Sequence, residues 1–357
     1  MAELVLPVLV FFGCYSVPDQ HEIFCYRFDP STQSLTRINS ADLQNASYLT
    51  ISADGKYLYA VSEVGKYEGE SSGAVAAFSL DTATGSMKLL NKVATHAAGS
   101  CHLTLSHDGK TLIVANYSGG AASIFPVKED GSLEEASQVL RYEGKGPYPG
   151  RQDRPHAHSA FLDPSGQFAY IQDLGTDKVM QYALTTGKLE PLATPSISMK
   201  PGAGPRHLVF HPTLPMAYII NELDNTVTRT DLDITTGELT AAESYPTLPE
   251  DFTAKSTTAD IHITPDGKYL YASNRGHDSL AAYAIDSETG KLTFIDYTPV
   301  GGKTPRSFAI SPDGKVIIVT LQDSSAVTTF AIDSATGKLK QLDLGLELPR
   351  PVCVRFF

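Results

Sequence analysis

Residues 305–339 read PRSFAISPDGKVIIVTLQDSSAVTTFAIDSATGKL. Two turn signals punctuate this stretch, Pro312-Asp313-Gly314 and Thr336-Gly337. The runs between them, Val316–Thr320 and Ala326–Ile332, are apolar and β-branched, which is the mark of short strands joined by hairpins. Four strands fit one unit: Ser307–Ser311, Lys315–Leu321, Ala326–Ile332 and Leu339–Leu342. No part of the chain shows a helical period of useful length.

The unit recurs along the chain. A turn of the form Asp-x-x-Thr-Gly-x-Leu is centred on Gln33, Gly85, Gly131, Gly187, Gly237, Gly290 and Gly337, at intervals of 52, 46, 56, 50, 53 and 47 residues. A second signal, Ser-Pro-Asp-Gly-Lys before an apolar run, interleaves with it around Gly55, Gly109, Gly166, Leu214, Gly267 and Gly314; the copy at Leu214 departs to Pro-Thr-Leu-Pro. Four strands repeated about every 50 residues mark a propeller blade. The expected fold class is all-β: one seven-bladed β-propeller domain over residues 1–357, with four-stranded blades.

The two chain ends complement each other. The copy at Gln33 is preceded by only two strands, Val8–Cys14 and Glu22–Phe28, so its innermost strand is missing. The C-terminus, Pro349-Arg350-Pro351-Val352-Cys353-Val354-Arg355-Phe356, resembles the opening strand Pro305-Arg306-Ser307-Phe308-Ala309-Ile310 with nothing after it. Pairing the two closes the ring and leaves no long exposed edge. In this alignment Arg350 takes the place of Arg306.

Composition narrows the partners. Hydrophobic residues make up 42% of the chain and charged residues 19%, an ordinary balance for a soluble domain. The net charge of -12 argues against nucleic acid and against anionic membranes as partners, although a local patch can still receive a small anion. No apolar run is long enough to cross a bilayer, so no membrane-spanning helix is expected. Met1–Phe12 is apolar but has no basic leader region and carries Glu3, so it reads as strand rather than signal peptide. Cys14, Cys25, Cys101 and Cys353 are far apart, each in or beside a hydrophobic run, which fits buried free thiols and a cytoplasmic location.

Propeller geometry places the start of a blade's first strand and the end of its second on one face. Counting equally in both directions from the hairpin residue gives pairs at one constant spacing: Ser47/Glu63, Cys101/Tyr117, His158/Leu174, Arg206/Glu222, Ala259/Arg275 and Arg306/Gln322. These pairs and Arg350 should ring one mouth of the channel. Four arginines gathered there by an acidic chain suit an anion, because the guanidinium fork donates two parallel hydrogen bonds to a carboxylate or phosphate. His158, among Arg and Glu groups, suits acid–base work. His156 and His158 could share a metal, but no third ligand stands at a matching spacing, so no metal or organic cofactor is expected. His207 and His262 are expected deeper in the channel. Asn116, Asn221 and Asn274 recur by repeat symmetry, which favours a structural hydrogen bond. The segment 142–154, rich in Gly, Pro and charge, reads either as a rim over the mouth or as a plain surface loop. Neither a nucleophile elbow nor a phosphate-binding Gly-rich loop is present.

Three stretches carry a family resemblance: Gly202-Ala203-Gly204-Pro205-Arg206-His207-Leu208-Val209-Phe210-His211-Pro212, Asn221-Glu222-Leu223, and Ala259-Asp260-Ile261-His262-Ile263-Thr264-Pro265-Asp266-Gly267. With the repeat pattern they make the chain similar to the propeller-type 6-phosphogluconolactonases, a family that also includes the fungal carboxy-cis,cis-muconate cyclizing enzyme. The resemblance implies cofactor-free lactone chemistry. It carries the functional His, two Arg and Glu of the cyclizing enzyme onto His158, Arg206, Arg275 and Glu222. The first expectation is hydrolysis of a sugar lactone, 6-phosphoglucono-1,5-lactone, in the pentose phosphate pathway. Catalysis falls to His158, Arg206, Glu222 and Arg275, with Arg306, Arg350, His207, Glu63, Tyr117 and Gln322 binding the substrate. The alternatives are a muconate-type cycloisomerase and a non-catalytic binding propeller. The partner is an anionic small-molecule lactone, and a monomer is the default.

Overall fold

The computed structural model describes residues 8–357 apart from residues 21, 31, 33 and 186. The turn centre expected at Gln33 therefore lies outside the described residues, as do residues 1–7. Among the described residues, twenty-eight strands form seven separate four-stranded antiparallel sheets. Numbered from the first complete sheet, blades I to VI open with the inner strands Leu49–Ile51, Ser100–Leu105, Ala157–Leu162, Pro205–Phe210, Thr257–Ile263 and Pro305–Ile310.

Blade VII is built from both ends of the chain. Its order is Pro351–Phe356, Val8–Cys14, Glu22–Asp29, Ser34–Asp42, with the C-terminal strand innermost. The first two pair antiparallel, Val10 opposite Phe356 and Gly13 opposite Cys353. Val352, Cys353 and Val354 are buried by this closure.

Blades are joined by a repeated tyrosine contact. Tyr59, Tyr170, Tyr218 and Tyr271 lie in the second strands of blades I, III, IV and V and are almost wholly buried. Each hydroxyl donates to the glycine carbonyl of the next blade's Thr-Gly-type turn: Tyr59 to Gly131 at 3.0 Å, Tyr170 to Gly237 at 2.6 Å, Tyr218 to Gly290 at 2.6 Å and Tyr271 to Gly337 at 2.8 Å. A buried hydroxyl needs such an acceptor, and a chain without tryptophan meets its interface with a ring that also has a polar end. Glycine is required at these turns. Gly237 sits at φ 75°, and a Cβ there would fall 2.3 Å from the Phe168 ring.

A second repeated feature sets the channel mouth. The inner strand of nearly every blade slips register against its neighbour, between Ser100 and His102, Ala157 and Ser159, Pro205 and His207, Thr258 and Ile261, Pro305 and Ser307, and at Gly13/Cys14 opposite Cys353 and Pro351. Each slip is a β-bulge, which bends the strand and re-aims a side chain. The bulged residues are Cys101, His158, Arg206, Ala259 with Asp260, Arg306 and Val352. The residue expected in this position of the closing strand, Arg350, is therefore displaced. The Pro-Arg of 349–350 imitates Pro305-Arg306 in sequence, but Pro351-Val352 takes its structural place. Arg350 lies before the strand, exposed, at φ 39°.

Removing residues 351–357 strips blade VII of its inner strand and exposes the inner faces of Val8–Cys14. Val352, Cys353 and Val354 alone bury apolar area worth several kcal/mol, at roughly 1.5–3 kcal/mol per large side chain. The truncated chain is expected to lose its cooperative thermal transition or to melt at least about 10 °C lower. A melt within about 2 °C of the intact chain would show that the ring does not depend on this closure.

Candidate active site at the channel mouth

Every second strand ends just before, or at, the residue that faces the mouth. Around the ring these are Glu63, Tyr117, Leu174, Glu222, Arg275, Gln322 and, in blade VII, Tyr15 directly after Val8–Cys14. Tyr15 is absent from the sequence-derived set because chain closure puts its partner strand at the opposite end of the chain; its position after the second strand is the signal that finds it. The inner circle is Ser47, Cys101, His158, Arg206, Ala259, Arg306 and Val352. Three of these are long or ring-bearing and neighbour one another in blades III, IV and VI, with Ala259 between the two arginines. The other four are small and leave room for a ligand.

Glu222 is the hub. Its Oε2 lies 3.0 Å from Arg206 Nε and 3.0 Å from Arg275 Nη2, and its Oε1 accepts from Arg151. Burial alone would raise this carboxyl's pKa. Arg275, Arg206 and Arg151 together outweigh burial and hold it well below the ordinary carboxylate range. Such a carboxylate is a weak base. Its work is to align and neutralise the guanidinium groups.

Arg151 comes from the segment 142–154, whose sequence leaves rim and plain loop equally open. The structure makes it a rim. Gln152 is completely buried; its Nε2 donates to the Leu174 carbonyl at 2.8 Å and to Asp177 Oδ1 at 2.6 Å, while its Oε1 accepts from the Tyr148 amide at 3.0 Å. Asp177 also accepts from the amides of Gly202 and Gly204, the turn leading into Arg206. One buried amide–carboxylate pair thus positions Arg151 and the strand bearing Arg206 together. Arg151 escapes the sequence reading because its loop has no counterpart in the other blades.

Beneath Arg206 runs a chain of polar contacts. Arg206 Nη1 donates to the Ala259 carbonyl at 2.5 Å and meets His207 Nε2 at 3.1 Å; His207 Nδ1 lies 2.9 Å from Asp260 Oδ1. Asp260 also accepts from Ser307 Oγ at 2.9 Å, and His262 Nε2 lies 3.3 Å from its Oδ2. Both ring nitrogens of His207 are engaged, so it supports Arg206 from below and offers substrate no free atom, contrary to its expected binding role. Burial, then Arg206, push His207 down to about 4. It is neutral at pH 7, with Nδ1–H toward Asp260 and Nε2 accepting from Arg206.

His158 differs. It is 5% exposed, its Nδ1 has no hydrogen-bond partner among the described residues, and its Nε2 stands 3.8 Å from Glu222 Oε2. Burial, followed by the nearby Arg206 and His207, lowers its pKa well below 6.5. It is therefore a neutral imidazole with an unused nitrogen, available to take a proton. Arg275 also keeps donors free: Nη2 binds Glu222 and, at 2.7 Å, the Thr258 carbonyl, while its buried Nε has no partner among the described residues.

The remaining expected residues divide. Tyr117 is at the mouth, stacked on His156 at 4.3 Å with its hydroxyl toward Arg151. His156 Nδ1 is 3.0 Å from the Tyr117 carbonyl. No group of three His, Cys, Asp or Glu suited to a metal occurs among the described residues. Glu63 accepts from the Tyr15 hydroxyl at 2.9 Å. Arg306 lies 3.5 Å from Gln322 Oε1 and over the Tyr15 ring. Asn116, Asn221 and Asn274 bond to nearby hydroxyls or backbone, the structural role their recurrence suggests. All four cysteines are buried and free.

A propeller whose channel mouth combines a neutral histidine with arginines arrayed about one buried carboxylate is built as an enzyme. The chain belongs to the family described as Lactonase, 7-bladed beta-propeller, whose model matches residues 9–356. It is 32% identical over 345 residues to the 6-phosphogluconolactonase of Bacillus subtilis, covering 96% of this chain and 97% of that protein. A 6-phosphogluconolactonase of Formosa agariphila is 35% identical over 292 residues, 79% of this chain and 80% of that protein. Among solved structures, the periplasmic gluconolactonase of Pseudomonas aeruginosa superposes with a TM-score of 0.92 at 32% identity, over 98% of this chain and 99% of that one.

The buried histidines make stability acid-sensitive. His102, His158 and His207 all have pKa values lowered from 6.5 in the fold, chiefly by burial. The unfolded chain takes up these protons as pH falls through 6.5, while the folded chain resists, so stability is complete above that pH and declines below it, down to about 4 for His207. Each group contributes a slope of up to about 1.4 kcal/mol per pH unit. Urea unfolding at pH 7.5, 6.5 and 5.5 should show stability falling over the lower interval. A flat profile there would mean that the three rings are protonated in the fold.

Proposed function

We infer that this chain hydrolyses a sugar lactone, 6-phosphoglucono-1,5-lactone, to the open acid. The observation that carries the mechanism is the unpartnered, neutral His158 beside arginines locked in place by Glu222. Water attacks the lactone carbonyl and His158 takes its proton. The developing oxyanion is met by the free donors of Arg275, assisted by Arg206, already oriented and so without reorganisation during the reaction. The ring C–O bond then breaks, and the proton held by His158 passes to the departing alkoxide. Glu222 positions both arginines and takes no proton.

The charge of the mouth supports a phosphorylated substrate. Arg151, Arg206, Arg275, Arg306 and Arg350 face Glu222 and Glu63, five positive groups against two negative, leaving three positive on a chain of net charge -12. A phosphate dianion and one oxyanion match that excess. The same proposal places the protein in the cytoplasm, in the pentose phosphate pathway. Its four free thiols and a phosphorylated metabolite support that location. The protein works as a monomer, since one chain supplies every residue of the mouth.

The test is loss of 6-phosphoglucono-1,5-lactone generated in situ, measured against its spontaneous opening and with a chelator present. The wild type should accelerate opening and keep doing so with chelator. His158→Gln should lose about 10²–10⁴ in kcat with little change in KM, and Arg275→Ala about 10²–10³, both with wild-type circular dichroism. Full activity in His158→Gln would refute its role as base.

A further inference from the structure

Two carboxylates act on Arg206, and the hydrolytic scheme uses only one of them. Glu222 takes Arg206 Nε at the mouth, at 3.0 Å. From below, the Ala259 carbonyl and His207 Nε2 take Nη1. Nη2 is the one guanidinium nitrogen of Arg206 with no hydrogen bond among the described residues, and it is the one left for a developing oxyanion. Its aim depends on both other nitrogens being held, because the guanidinium is planar and rigid.

The lower hold requires a ring that accepts. A neutral imidazole has one donor and one acceptor nitrogen. His207 can accept from Nη1 only while its proton sits on Nδ1; an Nε2–H would set donor against donor. Asp260 Oδ1, 2.9 Å from Nδ1, keeps the proton there. Asp260 is 2% exposed and is the sole acid among the residues directly following the inner circle. Its Oδ1 also accepts from the Ile261 amide at 3.1 Å, and its Oδ2 accepts from Ser307 Oγ at 2.9 Å and from the Phe308 amide at 3.2 Å. Its own amide donates to Ser273 Oγ at 2.9 Å. Burial alone would raise its pKa; the His262 and His207 rings beside it outweigh burial and hold it well below the ordinary carboxylate range. Donors from blades IV, V and VI meet on this one anion, so it has no freedom to turn from His207. Burial works against the charge on Arg206 as well, and Asp260 is the second carboxylate, after Glu222, that favours it.

We propose that Asp260 is a positioning residue for the hydrolysis: through His207 it fixes the Arg206 fork so that Nη2 is presented to the oxyanion. The proposal rests on the lactonase reading and deepens it. No proton moves along the chain. A carboxylate on Nδ1–H makes Nε2 the better acceptor, as it does for a histidine that ligates a metal.

Two measurements test the role. The first is 15N NMR of the wild type at pH 7, with His207 assigned from a His207→Phe variant; it needs no turnover. Nδ1 should carry the proton and Nε2 should be bare. The second is a cycle of kcat and KM on the wild type, Asp260→Asn, His207→Phe and the double variant. Asp260→Asn should lose about 10- to 100-fold in kcat with little change in KM. The double variant should lose no more than His207→Phe, because the carboxylate acts only through the ring. A wild-type proton on Nε2, an unchanged kcat in Asp260→Asn, or losses that multiply in the double variant would each overturn the positioning role. Should Asp260→Asn fail to fold, the wild-type tautomer decides alone. A wild type that opens no lactone would instead refute the hydrolysis reading, and the tautomer would still decide whether Asp260 sets His207 against Arg206.

Discussion

Everything chemical in this molecule depends on the charge balance around Glu222. Three guanidinium groups from three different places meet its carboxylate: a bulged inner strand supplies Arg206, the end of a second strand supplies Arg275, and a loop supplies Arg151. Arginines buried so closely would repel one another and lose hydration. One carboxylate offsets that repulsion and fixes the direction of each fork. Burial nonetheless lowers Arg275, the more accessible strand arginine, to about 10. The field left over is positive, and with burial, the larger cause, it explains why His158, 3.8 Å from a carboxylate, stays neutral. Two of the three arginines on Glu222, along with Arg306, add to burial and outweigh the single acid.

The fold makes this arrangement possible through one local defect repeated around the ring. A regular strand would alternate its side chains between the two faces of the blade. The bulge near the start of the inner strand in every blade but the first breaks that alternation and sends one residue to the mouth. Evolution of such a site needs only a change of side chain at a bulge, and the positions around the ring show the range, from Ala259 and Val352 to Arg206 and His158. The tyrosine contacts between blades hold the rest rigid, so that the mouth residues meet with the tolerance that transition-state stabilisation requires.

Much of this was legible in the sequence because it repeats. Seven copies of two turn signals give the blade count, and the unmatched strands at the two ends give the closure. The constant spacing about the hairpin finds Arg206 with Glu222, and Ala259 with Arg275, because both ends of a hairpin must reach the same face. What escaped was whatever lacks a repeat. Arg151 stands in a loop peculiar to blade III. Tyr15 is the seventh member of the outer circle, but closure separates it in sequence from its inner partner, Val352. Arg350 is misplaced in the sequence alignment because the Pro-Arg pair at 349–350 copies the composition of Pro305-Arg306 without its pairing, and only the register against Val8–Cys14 distinguishes them. His207 shares a motif with Arg206, yet sequence cannot show that both its nitrogens are already engaged.

The account turns on what governs His158: burial and three arginines, or one glutamate. Histidine-labelled protein, with the His158 resonances assigned from a His158→Gln variant, allows the ring to be titrated directly by NMR. The account predicts that the imidazole stays neutral as pH falls through 6.5 and takes up its proton only well below that value. A ring that titrates at or above 6.5 would contradict this and show that Glu222 offsets burial and the arginines; titration well above 7 would leave His158 an imidazolium at neutral pH, unable to serve as the base.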